Sequence, residues 1–460
     1  MSKKASHITV TDQFCGAGGS SQGAVAAGAE VKLAMNHWKL AIETHNTNFP
    51  NTDHDCADIS ASDPRRYLST DILITSPECT NQTGANGKAK PQKQFNMFTA
   101  TKIEAAEERS RATMWDVVRF AEYHLYNCVI VENVVEARKW IMYDAWLNAM
   151  YVLGYQHKSV YLNSQHCHPT PQSRDRMYIV FWKKGNKAPD LEYKPIAHCS
   201  QCNKDIHSIQ SWKKAQVKFG KYKQQYVYCC PNDGAIVEPY YYAAANCIDW
   251  TIPGEKIGDK KPALVENTIR RINVGRDKFW NKEPVVSHLP FIIKGEYSSA
   301  ADNSYVRSIN ESLLTQSTRQ TSGICIPPFM VENKGQSTAR EMKSALSTIT
   351  CSVDHGILAP NKFNSFLSYY NGGSDVCSHI TEPAGTFVCT DRLALVQDVA
   401  PNIEDCYYRT LKAHEVKLGM AFNKDYVVLG NVKEQVKQLG NAVTPPAMEW
   451  PVKQCVNSLN

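Results

Sequence analysis

The sequence predicts an α/β protein built on a parallel, doubly wound sheet. Three observations carry that expectation. Short β-rich runs alternate with helical stretches from Ile8 to about Trp182, the order that lays helices over a parallel sheet. A Gly-rich turn joins the first strand to the first helix, and such turns let a ligand approach the backbone at a helix N-terminus. The composition, 43% hydrophobic and 21% charged over 460 residues, is globular, with material for a large core.

The elements follow in order. Ile8-Thr9-Val10 reads as the first strand, Phe14-Cys15-Gly16-Ala17-Gly18-Gly19 as the turn, and Ser20 to Gly28 as the first helix. Val31 to Met35 is the second strand, and Trp38 to Thr44 the helix after it. Further strands read at Ile72–Thr75, Cys128–Val131 and Met177–Phe181, with a long helix from about Lys102 to His124. Composition shifts at Lys183-Lys184-Gly185-Asn186-Lys187-Ala188-Pro189, a boundary. The expected segments are 1–185, a Cys-bracketed island at 186–245, a mainly β region at 246–400, and a helical return at 401–460. Within the β region, apolar runs at Pro290–Ile293, Pro328–Val331 and Ser365–Ser368 open three units spaced 38 and then 37 residues apart (329−291, 366−329). Thr-rich segments near 313–318, 346–350 and 385–390 answer them, an internal repeat expected to form one module.

Several classes are excluded. No uninterrupted apolar run approaches the roughly 18 residues a membrane helix needs. Met1 to His7 leads straight into a strand without a signal-like apolar stretch, so a cytoplasmic location is expected. There the 16 Cys read as metal ligands, nucleophiles or packing rather than as disulfides. The net charge of +6 permits a nucleic-acid partner, provided the charge is clustered.

Four segments carry chemistry. The Phe14–Gly19 turn lacks the three-Gly dinucleotide spacing and has no Gly-Lys-Ser/Thr after it, which favours a nucleoside cofactor without a phosphate cradle. Cys79, in Thr75-Ser76-Pro77-Glu78-Cys79-Thr80, follows the carboxyl end of a strand, the place for an exposed nucleophile. The polar, Gly-containing stretch 81–94 suits a lid. Glu132, in Glu132-Asn133-Val134, closes an apolar strand, where partial desolvation lets a carboxyl stay protonated and donate to a ring nitrogen. Arg174 and Arg176, in Gln172-Ser173-Arg174-Asp175-Arg176, alternate ahead of a strand and so share a face. They could hold a base, a phosphate or the Glu132 carboxylate.

In this order the segments resemble the cytosine-C5 DNA methyltransferase family, over Ile8 to Trp182 and again from Tyr408 onward. The turn resembles the family's cofactor loop, with Phe14, Cys15, Gly16 and Gly18 as contacts. Asp58-Ile59 resembles its adenine-contacting acidic position, and Arg111-Ala112-Thr113-Met114-Trp115 its helix start. Glu132-Asn133-Val134 and Gln172–Arg176 match its catalytic Glu and Arg motifs. Arg409-Thr410-Leu411 with Glu415 resembles the penultimate motif. Gly440-Asn441-Ala442-Val443-Thr444-Pro445 matches the last, which packs back on the cofactor site and contributes Asn441 and Val443.

The resemblance implies a Rossmann-like methyltransferase sheet and S-adenosylmethionine as cofactor. The reaction expected is transfer of its methyl group to C5 of a flipped cytosine through a Cys79–C6 adduct. Glu132 would donate to N3, and Arg176 or Arg174 would fix the base oxygen and orient Glu132. Double-stranded DNA is the expected partner, bound by a monomer, in restriction-modification or a related role; 246–400 would read the target. An RNA enzyme of the same chemistry and a catalytically impaired binding relative are the rivals. Two departures stand out. Pro77-Glu78-Cys79 replaces the family's Pro-Cys-Gln, placing a residue between the cofactor-lining Pro77 and the nucleophile. Asn36 stands where the family has an acidic ribose ligand, with His37 or Trp38 beside it to stack on adenine.

The island reads His198-Cys199-Ser200-Gln201-Cys202 and then Tyr228-Cys229-Cys230-Pro231-Asn232-Asp233-Gly234. It resembles a zinc ribbon, with Cys199, Cys202 and Cys230 at ligand positions and Asp233 or Cys229 completing a structural zinc site. Lys204, Lys213, Lys214, Lys218, Lys221 and Lys223 lie beside Trp212, Phe219 and Tyr222, a mix able either to contact phosphates or to form a solvated face.

Overall fold

A computed structural model describes residues 7–77, 105–249 and 403–460, most of 251–273, and the backbone of strands between 291 and 397, with 105–111 as backbone only. The chain divides into two compact units: 1–170, 174–241 and 420–460 form the first, and 171–173 with 242–419 the second. Residues 186–241 thus sort with the sheet they follow, and the expected return segment 401–460 is divided at Met420.

The first unit is organised by a seven-stranded sheet. Its strands are β1 (Thr9–Gln13), β2 (Glu30–Met35), β3 (Asp53–Asp55), β4 (Ile72–Thr75), β5 (Cys128–Asn133), β6 (Tyr155–Asn163) and β7 (Asp175–Lys183). They lie in the order β3-β2-β1-β4-β5-β7-β6. β1, β2, β3, β4 and β5 are parallel, whereas β7 runs antiparallel to both neighbours. The sheet is therefore mixed, not wholly parallel as expected. Only the short segment 164–174 joins β6 to β7, and it holds no crossover helix long enough to return the chain in parallel. The strand order reverses between β1 and β4, so the carboxyl ends of these strands flank a switch point, the ligand position of open α/β sheets.

The apolar runs are long because both faces of the sheet are covered. Leu73, Val129, Val131, Ile179 and Phe181 pack on one face with Met114, Val117, Phe120 and Trp146, from α3 (Ala105–His124) and α4 (Tyr143–Val152). The alternate residues Ile72, Ile74, Cys128, Ile130 and Val180 face Ala24, Met448 and Val452, from the first helix, α1 (Gly19–Ala26), and the terminal helix Pro445–Leu459. The second helix, α2, spans Lys39–Asn48.

The Cys island adds a hairpin, β8 (Ile196–Cys199) with β9 (Lys204–His207), and a three-stranded sheet of β10 (Ile209–Trp212), β11 (Tyr226–Cys229) and β12 (Ile236–Val237). Its Ala197, Ile206, Tyr222, Tyr226 and Tyr228 join the core under α3 and α4.

The second unit holds an eight-stranded sheet, β13-β23-β22-β20-β16-β14-β15-β21, and a three-stranded one, β18-β17-β19. In chain order these are β13 (Glu255–Lys256), β14 (Phe291–Ile293), β15 (Val306–Ser308), β16 (Gly323–Ile326), β17 (Phe329–Glu332), β18 (Ala339–Glu341), β19 (His355–Leu358), β20 (Asn364–Tyr369), β21 (Cys377–His379), β22 (Leu393–Gln397) and β23 (Tyr407–Thr410). The three repeat openings each form a strand, but β17 sits in a different sheet from β14 and β20, so the units do not occupy equivalent places. The Thr-rich answering segments lie outside the described residues. α5 (Ala413–Gly419) follows β23. Arg409 donates from both terminal nitrogens to Glu415, each at 2.8 Å, and Glu415 also accepts from the N–H groups of Asp249 and Lys412. Two further helices close the chain, α6 (Val432–Asn441) and α7 (Pro445–Leu459). Among the described residues no helix is long and apolar enough to cross a membrane.

Candidate active site

The Gly-rich turn leaves β1 at the switch point. Gly16 and Gly18 take φ of 52° and 88°, the left-handed region glycine enters without a side-chain clash. A Cβ on Gly18 would also run into the Tyr426 hydroxyl, and one on Gly19 into the Val443 carbonyl. Val443 is thus seated against the start of α1. Asn441 is exposed beside it. Phe14 also takes a positive φ, of 56°. Cys15 is buried, donates its N–H to Met35, and has its thiol pushed well up by burial and by Asp12. It packs rather than reacts.

The other expected cofactor contacts are less uniform. The Asn36 side-chain oxygen accepts the Trp38 N–H at 2.9 Å, so it braces the entry to α2 and keeps its amide nitrogen to donate. The Trp38 ring carries the Lys437 ammonium 4.5 Å from its centroid, a cation–π contact on the surface expected to stack on adenine. His37 is exposed. Asp58 is exposed and caps the short 3-10 helix Ile59–Ala61 by accepting from the Ser60 N–H. Ile59 is a core residue, 2% exposed.

On the far side of β4 from β1, β5 ends in Glu132 and Asn133. Both are buried. The Arg176 Nε stands 2.9 Å from the Glu132 Oε1, yet that oxygen makes no aligned hydrogen bond among the described residues. The contact leaves hydrogen-bonding capacity on Glu132 to spare. Asn133 donates to the Pro77 carbonyl at 3.3 Å, tying the end of β4 to the strand that carries Glu132. Arg174 makes a different contact from Arg176. It precedes β7 and donates to the Gly440 carbonyl of α6 at 3.2 Å, anchoring the last motif. Cys79, the stretch 81–94 and the start of the long helix near Lys102 lie outside the described residues.

The sequence reading passed over a polar chain beneath the turn. Ser21 donates to the buried Asp12 at 2.7 Å. The Ser21 oxygen lies 2.8 Å from the His45 Nε2, and the His45 Nδ1 lies 2.8 Å from the His54 Nε2. Ser21 already donates to Asp12, so it accepts from His45, which leaves the His45 Nδ1 to accept from His54. Burial raises Asp12 to about 7, and burial together with His54 lowers His45 to about 3. Next to Asp12, the buried Gln13 has both side-chain polar atoms without hydrogen-bond partners among the described residues. Orphaned polar atoms at this strand end fit a polar ligand at the switch point. A polar Asp12-Gln13 pair closing an apolar strand was a readable signal; His45 and His54 gave none.

In the island, ligand atoms of Cys199, Cys202, Cys230 and Asp233 lie within 4.8 Å of one another; Cys229 is not part of that group. Of the basic residues, Lys221 pairs with Glu136 and Lys223 with Glu238. Tyr222 is buried, and Trp212 packs edge-on to Tyr161 and Tyr226. The aromatics therefore serve the core, and two of the lysines are committed to carboxylates. A cavity of about 380 Å³ lies along β6, lined by Lys158, Tyr161, Lys194 and Gln210 among others, and holds none of the expected site residues.

Comparison with known proteins places these features. A type II methyltransferase, M.HgiDI of Herpetosiphon aurantiacus, is 28% identical over 181 residues, 38% of this chain and 53% of that protein. A second from the same organism, M.HgiGI, is 34% identical over 77 residues, 16% of this chain and 61% of that protein. The chain thus spans about half the length of the first curated relative it matches. Among solved structures, a Spodoptera frugiperda DNMT2 mutant aligns over 97% of this chain and 99% of its own, at 12% identity and a TM-score of 0.48. The Entamoeba histolytica methyltransferase EhMeth aligns over 99% of each chain, at 10% identity and a TM-score of 0.47. The family model for C-5 cytosine-specific DNA methylases matches residues 8–457. The chain belongs to the C-5 cytosine-specific DNA methylase family.

Proposed function

We propose that the chain is a DNA cytosine-5 methyltransferase that uses S-adenosylmethionine and attacks a flipped cytosine with Cys79. The observation that carries the reading is the convergence at one sheet edge of the Arg176–Glu132 contact and the Asn133–Pro77 bond. Cys79 follows Pro77 by two residues, so the backbone allows it within about 7 Å of that anchor.

The residues divide the work. The Phe14–Gly19 turn, Gln13, the Asn36 amide and Trp38 are the groups available to hold the cofactor, with Val443 closing the turn from behind. Bound S-adenosylmethionine supplies an electrophilic methyl group to C5. The Cys79 thiolate forms a bond to C6, and the electron pair of the C5–C6 double bond makes C5 nucleophilic. Glu132 donates to N3, offsetting charge as the adduct forms, while Arg176 holds the Glu132 carboxyl in place. Loss of the C5 proton to water then re-forms the C5–C6 double bond, breaks the C6–S bond and frees the thiolate. The second unit, with its β region, is the part assigned to reading a duplex bound by one copy of the chain.

Duplex DNA incubated with the protein and methyl-labelled S-adenosylmethionine should gain label at C5 of cytosine, and 5-fluorocytosine duplexes should trap an adduct that Cys79→Ala abolishes. Label on structured RNA but not on duplex DNA would transfer the reading to RNA. Cofactor binding without adduct or label on either would overturn it.

A further inference from the structure

Beyond methyl transfer, we infer that Cys199, Cys202, Cys230 and Asp233 bind one zinc ion in a closed, structural site. Four-coordinate zinc, with sulfur ligands near 2.3 Å, sets two sulfurs about 3.8 Å apart. Cys202 and Cys230 stand 3.7 Å apart. The Asp233 Oδ2 lies 3.2 Å from the Cys199 sulfur and 2.9 Å from the Cys202 sulfur, slightly inside the spacing an ion would hold.

The surroundings orient the ligands as structural metal sites require. The other Asp233 oxygen accepts the Ala235 N–H at 2.8 Å, which turns Oδ2 toward the thiols. The Cys202 N–H points at the Cys199 sulfur at 3.4 Å, and the Asn232 amide at the Cys202 sulfur at 3.7 Å. Gly234, at φ 77°, lets the chain double back so that the Cys230 N–H reaches the Ala235 carbonyl at 2.8 Å. Three thiols and a carboxylate gathered this closely repel one another once ionised; a dication relieves that. Four protein ligands leave no open position, so the ion is structural rather than catalytic. Cys229, the other candidate for the fourth place, is held in β11 opposite Ile209 and Ile236.

The site staples the β8–β9 hairpin to the turn that follows β11. That same module sends the Tyr222 N–H to the Asp175 carboxylate at 2.9 Å, and Asp175 is the neighbour of Arg176. The staple therefore supports the strand end that carries the Arg176–Glu132 contact.

The test needs neither cofactor nor DNA, so its outcome is independent of the reaction proposed above. The full chain purified under reducing conditions should contain about one zinc per molecule by elemental analysis. Cobalt exchanged into it should give the intense visible bands and thiolate charge-transfer absorption of a tetrahedral thiolate-rich site. Asp233→Ala should lose metal at least tenfold more readily to a competing chelator, Asp233→Cys should restore retention, and Cys229→Ser should match the parent. A folded parent chain that holds no stoichiometric metal, and takes up neither zinc nor cobalt when these are supplied, overturns the proposal. Metal loss in Cys229→Ser with retention in Asp233→Ala overturns the ligand assignment.

Discussion

Among the described residues there are two buried Arg–Glu contacts, one in each unit, and they are built differently. Glu415, fully buried, accepts both Arg409 nitrogens and two backbone N–H groups. Arg409 in turn donates to the Asp249 and Ile252 carbonyls. Every strong group there is satisfied, and the pair ties residues 249–252 to β23 and α5. Glu132 has Arg176 at 2.9 Å but no aligned hydrogen bond on Oε1 among the described residues. A saturated pair fixes a fold. An unsaturated one keeps capacity for a substrate, at a cost in desolvation that folding alone gives no reason to bear.

The contrast is best broken from both sides. Glu132→Gln should lower the methyl-transfer rate by about 10²–10⁴-fold while leaving the unfolding midpoint in place, as read by single-turnover kinetics and calorimetry. Matching loss of stability would make Glu132 a structural residue. Glu415→Ala should do the reverse, costing roughly 3–5 kcal/mol by stranding a buried guanidinium, measured by denaturant unfolding. An unchanged midpoint would show that the Arg409 contact is not what holds that unit. Gly19→Ala should cost about 1–3 kcal/mol through overpacking against the Val443 carbonyl, with weaker cofactor binding by calorimetry if the last motif shapes that site.

The last effect concerns pH. Asp12, raised to about 7, keeps its proton in the folded state above the pH at which the unfolded chain loses it. Its contribution to stability therefore falls as pH rises from about 4 to 7. His45, lowered to about 3, stays neutral when folded while the unfolded chain protonates below about 6.5. Its contribution rises with pH from about 3 to 6.5, so the two slopes oppose. His45→Gln should expose the Asp12 slope, a loss approaching about 1.4 kcal/mol per pH unit between pH 4 and 6.5. Unfolding curves at several pH values check it; parallel profiles for parent and variant would show that the two groups do not titrate as described.

The α/β class and the positions of the principal strands could be read from the sequence because apolar runs and turn glycines are local signals. The same holds for the grouping of Cys199, Cys202 and Cys230, whose spacing announces a cluster. The antiparallel β7 could not be read, since strand direction depends on which edge a connection can reach. Nor could the separate contacts of Arg174 and Arg176. They sit two residues apart, yet one meets Gly440 and the other Glu132. Asp58 and Asn36 looked like ligand residues by position, but part of their hydrogen-bonding capacity serves local turns.

The sequence by itself determined which residue types stand at the carboxyl ends of the strands, because strand and turn propensities act over a few neighbours. Only the tertiary structure decided which contacts are saturated and which keep capacity for a ligand. It also chose Asp233 over Cys229 in the island cluster. The physical reason is that hydrogen-bond satisfaction and ligand spacing depend on distances between segments far apart in the chain, and those are set when the two faces of the sheet are buried.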